Sequence, residues 1–228
     1  TPVIASPASL KEGLIAYFPF DDGNSTDRSG NGHIPKIYPI KHTDGEHHGP
    51  GFIPVADRLG NRKGALFTDG RDDGFIIPSL SSTNKPASFA TWIFPVPPPK
   101  IQDTHRVILD GYEKGKTEGI RLEIFEGKIT AYVGNKDGAI GRVNGNKHVP
   151  FNQWLHIACV HDGKNIYLYQ NGKETGRDSA VGLPVLGKIN VGSQSVDGRE
   201  PFIGILDDIR IYERPLSQKE VLLLANQA

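Results

Sequence analysis

Residues 154–174 read WLHIACVHDGKNIYLYQNGKE, and this stretch decides the fold class. Two apolar-rich runs, LHIACV (155–160) and NIYLY (165–169), are separated by Asp162-Gly163, and the second is followed by Asn171-Gly172. Asp-Gly and Asn-Gly tolerate the positive φ that primed two-residue turns demand, so the runs read as consecutive antiparallel strands, with a third after Gly172. The expectation is a β-meander.

Working outward, the same signature recurs on both sides. GLIAYFPF, GALFTDG, DGFIIPSL, ASFATWIFP, RVILDGY, GIRLEIFEG, KITAYVGN, KINVGS and GILDDIRIYER are short apolar or alternating runs between turn signals. In GIRLEIFEG, Ile120, Leu122 and Ile124 alternate with Arg121 and Glu123, which puts the aliphatic trio on a core face and the charged pair on a wetter one. KITAYVG repeats the pattern, with Ile129, Ala131 and Val133 against Thr130 and Tyr132, and the intervening Glu126-Gly127 suits a tight hairpin. One segment carries a helix signature. In LSQKEVLLLANQA, Ser217 and Glu220 fit a capping box, and Val221, Leu224 and Ala225, with Leu222 beside them, supply an apolar stripe. The predicted fold is therefore all-β, a sandwich or barrel closed by a short C-terminal helix.

At 228 residues the chain suits one such domain: residues 1–12 read as a linker or extension and 13–228 as the folded unit. Lys plus Arg and Asp plus Glu are 26 each, so no global field favours nucleic acid or an anionic membrane, and neutral partners are expected. The single cysteine, Cys159, excludes an intrachain disulfide and reads as a small buried apolar residue. No apolar run approaches the roughly 20 residues of a membrane span. The N-terminal TPVIASPASLKEG lacks signal-peptide regions and the chain has no Met, so it reads as a mature or excised fragment. Walker loops, dinucleotide fingerprints and nucleophile elbows are absent from the sequence.

GLIAYFPFDDGNSTDRSGNG, DRLGNRKGALFTDGRDDGFIIP, FATWIFP, NQWLHIACVHDGKNIYLYQNGKE and FIGILDDIRIYERPLSQKEV, taken together and in this order, resemble the laminin-G-like branch of the concanavalin-A-like jelly rolls. The resemblance implies a two-sheet antiparallel β-sandwich, a curved concave surface rimmed by loops, and often one bound calcium ion. Its members include carbohydrate-binding modules, lectins, adhesion domains and accessory domains of enzymes, and some distant relatives are glycoside hydrolases or polysaccharide lyases. A secreted or cell-surface location, with further domains in a larger extracellular protein, follows as an expectation.

The loop DDGNSTDRSGNG holds Asp21, Asp22, Asn24 and Asp27 among glycines, a chemistry that suits calcium, although no Glu closes an EF-hand. In jelly rolls of this type the first and last strands are commonly neighbours, so Asp207 is expected to complete a calcium set of Asp22, Asn24, Asp27 and Asp207. Asp207 and Asp208 are adjacent on a strand and face opposite ways unless a bulge intervenes. Asp208 is expected to pair with an Arg or a turn amide. The alternative is Asx-turn chemistry and surface ion pairs with Arg28 or Arg210. Asp69, Asp72 and Asp73 read as turn residues, and His42, His47 and His48 as a solvated loop.

The paired carboxylates of laminarinase-type hydrolases are missing. Arg121 and Glu123 match one of the three strand motifs of alginate-lyase-type jelly rolls. A sugar-binding surface needs planar side chains and polar groups that fork to hydroxyls. The candidates are His105, Arg106, Tyr112, Arg121, Glu123 and Tyr132, with Tyr167 and Tyr169 as a second patch. Trp92 and Trp154 read as core residues. The functional expectation is a secreted, non-catalytic, lectin-like module for a polysaccharide or glycan, carrying a structural calcium. The alternatives are an adhesion or protein-interaction domain, and an enzyme with an atypical site on the concave face.

Overall fold

The computed structural model describes residues 9–21, 23–37, 53–70, 74–78, 80, 82–97, 105–112, 119–193 and 200–227. Within them the chain forms two antiparallel sheets and one α-helix. The eight-stranded sheet runs β14 (Lys173–Ser179), β13 (Asn165–Gln170), β12 (Leu155–His161), β7 (Ala87–Pro95), β17 (Ile203–Tyr212), β4 (Ala65–Asp69) and β3 (Ile53–Val55), and β1 (Leu14–Phe18) also pairs with β17. The seven-stranded sheet runs β11 (Ile140–His148), β10 (Lys128–Gly134), β9 (Gly119–Phe125), β8 (His105–Asp110), β16 (Ile189–Val191), β5 (Phe75–Ile77) and β2 (Lys36–Ile37). A small ribbon pairs β6 (Ser82–Thr83) with β15 (Val185–Leu186).

The predicted meander is present as β12, β13 and β14, with Asn171 and Gly172 at φ 48° and 74° in the second turn. The β9–β10 hairpin turns on Glu126 and Gly127, at φ 49° and 74°, as a primed turn requires. Ile120, Leu122 and Ile124 join Ile129, Ala131 and Val133 in the core between the sheets, where Cys159 is also fully buried. Burial pushes the Cys159 thiol up to about 12, so it packs as an apolar residue.

The acidic pair in β17 shows why the strand period alone misleads there. β17 pairs with β4 through Ile203 to Leu206 and with β1 through Ile209 to Tyr212, and a bulge with Asp208 at φ 51° falls where the partner changes. The extra residue resets the alternation, so Leu206, Ile209 and Ile211 all stay in the core while both carboxylates lie on the outer side, on one guanidinium.

Helix α1 (Gln218–Ala225) starts with the expected capping box: the Ser217 hydroxyl accepts from the Glu220 N–H, and Glu220 accepts from the Ser217 N–H at 2.8 Å. Such a cap is worth about 1 kcal/mol. Val221 and Leu224 pack on Ala90, Ala158, Val160 and Tyr169, closing the outer face of the eight-stranded sheet. Leu222, expected beside the apolar stripe, is largely exposed. Leu10 is buried in the same cluster, and Arg214 binds Glu220, the Ser9 carbonyl and the Glu12 carbonyl, so packing begins before Gly13.

Candidate functional site

α1 packs on the outer side of the eight-stranded sheet beside the Arg58–Asp207–Asp208 network, and a second polar cluster stands on the outer face of the seven-stranded sheet. Strand alternation sends Arg121 and Glu123 outward from β9, and Tyr132 stands opposite Arg121 on β10. His105, at the start of β8, reaches across so that its Nδ1 lies 2.9 Å from Glu123 Oε1. Ile108 and Leu109 both face the core because a bulge follows Val107, and that irregularity turns Asp110 outward beside Arg121. Arg121 Nε donates to Asp110 Oδ1 at 3.3 Å and Nη1 to Glu200 Oε2 at 3.4 Å, and its guanidinium lies 5.6 Å from the Tyr112 ring. On β11, Arg142 sits 4.7 Å over Phe125 and 5.3 Å from Tyr132, and donates to Asn144.

The electrostatics of this face are unusual for an exposed sheet surface. Glu123 is 0% exposed and Asp110 is 1% exposed. Burial pushes the Asp110 carboxyl up to about 6 despite the Arg121 charge, and burial raises Glu123 against the pull of His105 and Arg121. The Tyr112 hydroxyl is buried without a hydrogen-bond partner among the described residues, and Glu123 Oε2, with the Tyr132 hydroxyl nearby and Arg121 Nη1 at 3.8 Å, makes no close hydrogen bond. A buried, under-satisfied oxygen costs free energy and invites a donor from a ligand.

Five of the six sugar-binding candidates, His105, Tyr112, Arg121, Glu123 and Tyr132, therefore share this face. Arg106 does not. It pairs with the core-facing Ile124, is buried, stacks 5.2 Å from Phe151 and donates to the Val96 carbonyl, because adjacent strand residues point to opposite sides. Asp110, Glu200, Arg142 and Asn144 belong to the face and were not expected from the sequence.

The predicted calcium set is not assembled by its described members, and Asp22 lies outside the described residues. All four lone-pair positions of the Asp27 carboxylate are used: Oδ1 accepts the Tyr17 and Ser29 N–H groups, and Oδ2 accepts the Ser29 hydroxyl and the His33 N–H. Burial alone would raise Asp27, but these N–H donors hold it below the usual carboxylate range. Asn24 accepts from the Thr26 N–H in an Asx turn. Asp207 is held by Arg58, whose other nitrogen binds Asp208 at 2.9 Å, and Asp208 also accepts from the Tyr17 hydroxyl at 2.8 Å and meets Arg210. Oxygens that already accept N–H bonds or face a guanidinium do not fit one shared calcium ion.

Trp92 and Trp154 are also not core residues. Trp92 lies on the outer face of the eight-stranded sheet, half-buried beneath Arg58 at 4.9 Å and edge-on to His156, and Trp154 packs against Phe94. His156 is driven down to about 3 by burial and by the Arg210 and Arg58 charges, so it is a neutral packing ring. Of the second patch, Tyr169 is buried under the helix, while Tyr167 stacks on Arg177 and donates to Asp162.

The two facing antiparallel sheets define a jelly-roll domain. The chain belongs to the Laminin_G_3 family of the concanavalin A-like lectin/glucanases superfamily, whose model matches residues 69–222. No curated protein sequence matches it. Among solved structures it is similar to the binding domain of Paraclostridial Mosquitocidal Protein 1 (TM-score 0.73, 18% identity, covering 95% of this chain and 52% of that one). It is also similar to Domain 4 of AbnA, a GH43 extracellular arabinanase from Geobacillus stearothermophilus, solved with arabinotriose (TM-score 0.69, 20% identity, 93% of this chain and 98% of that one). A third is the botulinum neurotoxin serotype D ligand binding domain in complex with N-acetylneuraminic acid (TM-score 0.73, 15% identity, 96% of this chain and 52% of that one). The chain spans about half the length of the two toxin domains, and these likenesses show the fold. Among the described residues no helix is long and apolar enough to cross a membrane.

Proposed function

We propose that the protein is a non-catalytic carbohydrate-binding module, secreted or displayed at a cell surface, and that the outer face of the seven-stranded sheet takes the glycan. The observation that carries this reading is the juxtaposition on one face of Arg-aromatic stacks, Arg142 with Phe125 and Tyr132 and Arg121 with Tyr112, with buried, under-satisfied oxygens of Glu123 and Tyr112. Sugar rings offer apolar C–H faces to aromatic planes and hydroxyl donors to carboxylates, which is the pair of needs this surface presents. Two similar domains support the sugar class, since one was solved with arabinotriose and another with N-acetylneuraminic acid. Calcium is not part of this reading.

One observation favours a catalytic alternative. Asp110 and Glu123, both buried and both with carboxyl groups raised by burial, flank the same Arg121, and a pair of carboxyls in one cleft is an arrangement that general acid-base chemistry uses. Affinity electrophoresis across neutral and sialylated glycans, run beside assays for new reducing ends and unsaturated sugars, separates the two. Binding without turnover supports the module, turnover supports the enzyme, and neither across a broad panel removes the carbohydrate reading.

A further inference from the structure

His105, Glu123 and Glu200 bring one ring nitrogen and two carboxylate oxygens within 4.8 Å of one another on the seven-stranded sheet. The three come from separate parts of the chain: His105 from the first residue of β8, Glu123 from the middle of β9, and Glu200 from the segment before β17. The backbone fixes their approach, because the Val107 N–H donates to the Glu200 carbonyl at 2.8 Å and Val107 stands opposite Glu123 in the sheet.

Three observations bear on what such a cluster would hold. Glu123 is fully buried, yet its Oε2 makes no close hydrogen bond among the described residues: the Tyr132 hydroxyl neighbours the carboxylate, and its ion-pair cation, Arg121 Nη1, stands 3.8 Å away. Three carboxylates, Asp110, Glu123 and Glu200, face one described guanidinium, Arg121, which leaves the cluster short of positive charge. The donor set is one imidazole with two carboxylates, the mixture that zinc-class ions take, whereas calcium prefers oxygen alone.

We propose that His105, Glu123 and Glu200 form a binding site for a divalent transition metal of the zinc class. Ligands about 2.1 Å from one tetrahedral ion stand about 3.4 Å apart, so closing the cluster on a metal takes a movement of about 1.4 Å or less. Glu200 is the member free to supply that movement, with its side chain 34% exposed, while His105 and Glu123 already face each other at 2.9 Å. Deprotonated His105 Nδ1 would ligate in place of its contact to Glu123 Oε1, and the ion would meet the charge deficit that Arg121 alone leaves. A fourth position stays open to water or to a hydroxyl of a bound molecule. The site does not depend on the sugar reading, since metal binding is measured without any glycan.

The test is isothermal titration of the metal-free chain with zinc chloride, repeated with cobalt(II) to read visible d–d bands. The expected result is one ion per chain with an imidazole-carboxylate cobalt spectrum. Glu200→Gln should weaken binding at least about tenfold, since even outer-shell changes cost 10–100-fold. His105→Gln should abolish the site and its spectrum while circular dichroism stays native. Glu200 is partly exposed, so its substitution keeps the test informative should a His105 variant fold poorly. An unchanged stoichiometry and spectrum in both variants would place the metal elsewhere on the chain and overturn the proposal. No heat and no d–d bands at millimolar metal would overturn it as well.

Discussion

Replacing Arg58 by Met keeps an apolar stem over Trp92 and removes the cation that, among the described residues, bridges Asp207 and Asp208. Asp207 is 2% exposed, so the substitution strands a buried carboxylate, a change that costs about 3–5 kcal/mol when no partner remains. Arg210 still faces Asp208 at 3.4 Å, and Asp207 can take up a proton instead of staying charged, which holds the expected loss to about 2 kcal/mol at pH 8. The pH dependence follows from Asp207. Burial and the Asp208 charge already push its carboxyl up to about 7, against the pull of Arg58, well above the unfolded value near 3.9. An acid whose folded pKa is raised binds its proton more tightly in the folded state. Its contribution is therefore fully present below about pH 4 and is lost as pH rises through about 7. Without Arg58 the folded value climbs further, so the loss continues above pH 7, whereas at pH 5 Asp207 is protonated in both proteins and the cost shrinks to roughly 1 kcal/mol for the lost hydrogen bonds. Urea unfolding followed by tryptophan fluorescence at pH 5 and pH 8 reads this directly, as a midpoint shift of about 1 M at pH 8. A loss below about 1 kcal/mol at pH 8, or equal losses at the two pH values, would refute the assignment of this cluster as a buried ion network.

Two further outcomes follow from local geometry. Gly172→Ala should cost about 2 kcal/mol by thermal or urea unfolding, because Gly172 sits at φ +74° and an added Cβ would lie 2.6 Å from the Leu222 side chain and 2.9 Å from its Cα. Gly163→Ala, at φ +98° with only ordinary contacts, should cost about half as much, and equal losses would show that the helix does not press on that turn. Chelation with EGTA should leave the melting temperature unchanged, since Asp27 is saturated by N–H and O–H donors and Asp207 by Arg58; a fall of several degrees would return a calcium ion to the loop.

Much of the architecture is legible because turns and strand period are local. Asp162-Gly163, Asn171-Gly172 and Glu126-Gly127 place the hairpins, and the alternation in GIRLEIF and KITAYVG alone sends Arg121, Glu123 and Tyr132 to one face. The same rule applied to β8 separates His105 from its neighbour Arg106, so grouping those two as one surface conflicted with the strand geometry. What stayed hidden arose from non-local or irregular features. A bulge in β8 turns Asp110 outward, and another in β17 puts both aspartates on one side, which no regular period reveals. Arg142 and Asn144 lie on β11, whose glycines at 141 and 145 weaken its reading as a strand, although Val143 alternates with them correctly. Arg58 meets Asp207 across 149 residues and Glu200 meets Arg121 across 79, pairings that only the folded sheet order creates. Trp92 misleads by its aliphatic neighbours, since it faces outward to carry Arg58.

If the outer face of the seven-stranded sheet takes a glycan, affinities of two single variants will separate that face from the opposite one. Against whichever oligosaccharide the wild-type chain retains, Tyr132→Ala, which removes a ring stacked beside Arg142 on this face, should weaken binding about tenfold, while Trp92→Ala on the opposite sheet should leave it unchanged. Loss of binding with Trp92→Ala and none with Tyr132→Ala would move the binding surface to the eight-stranded sheet.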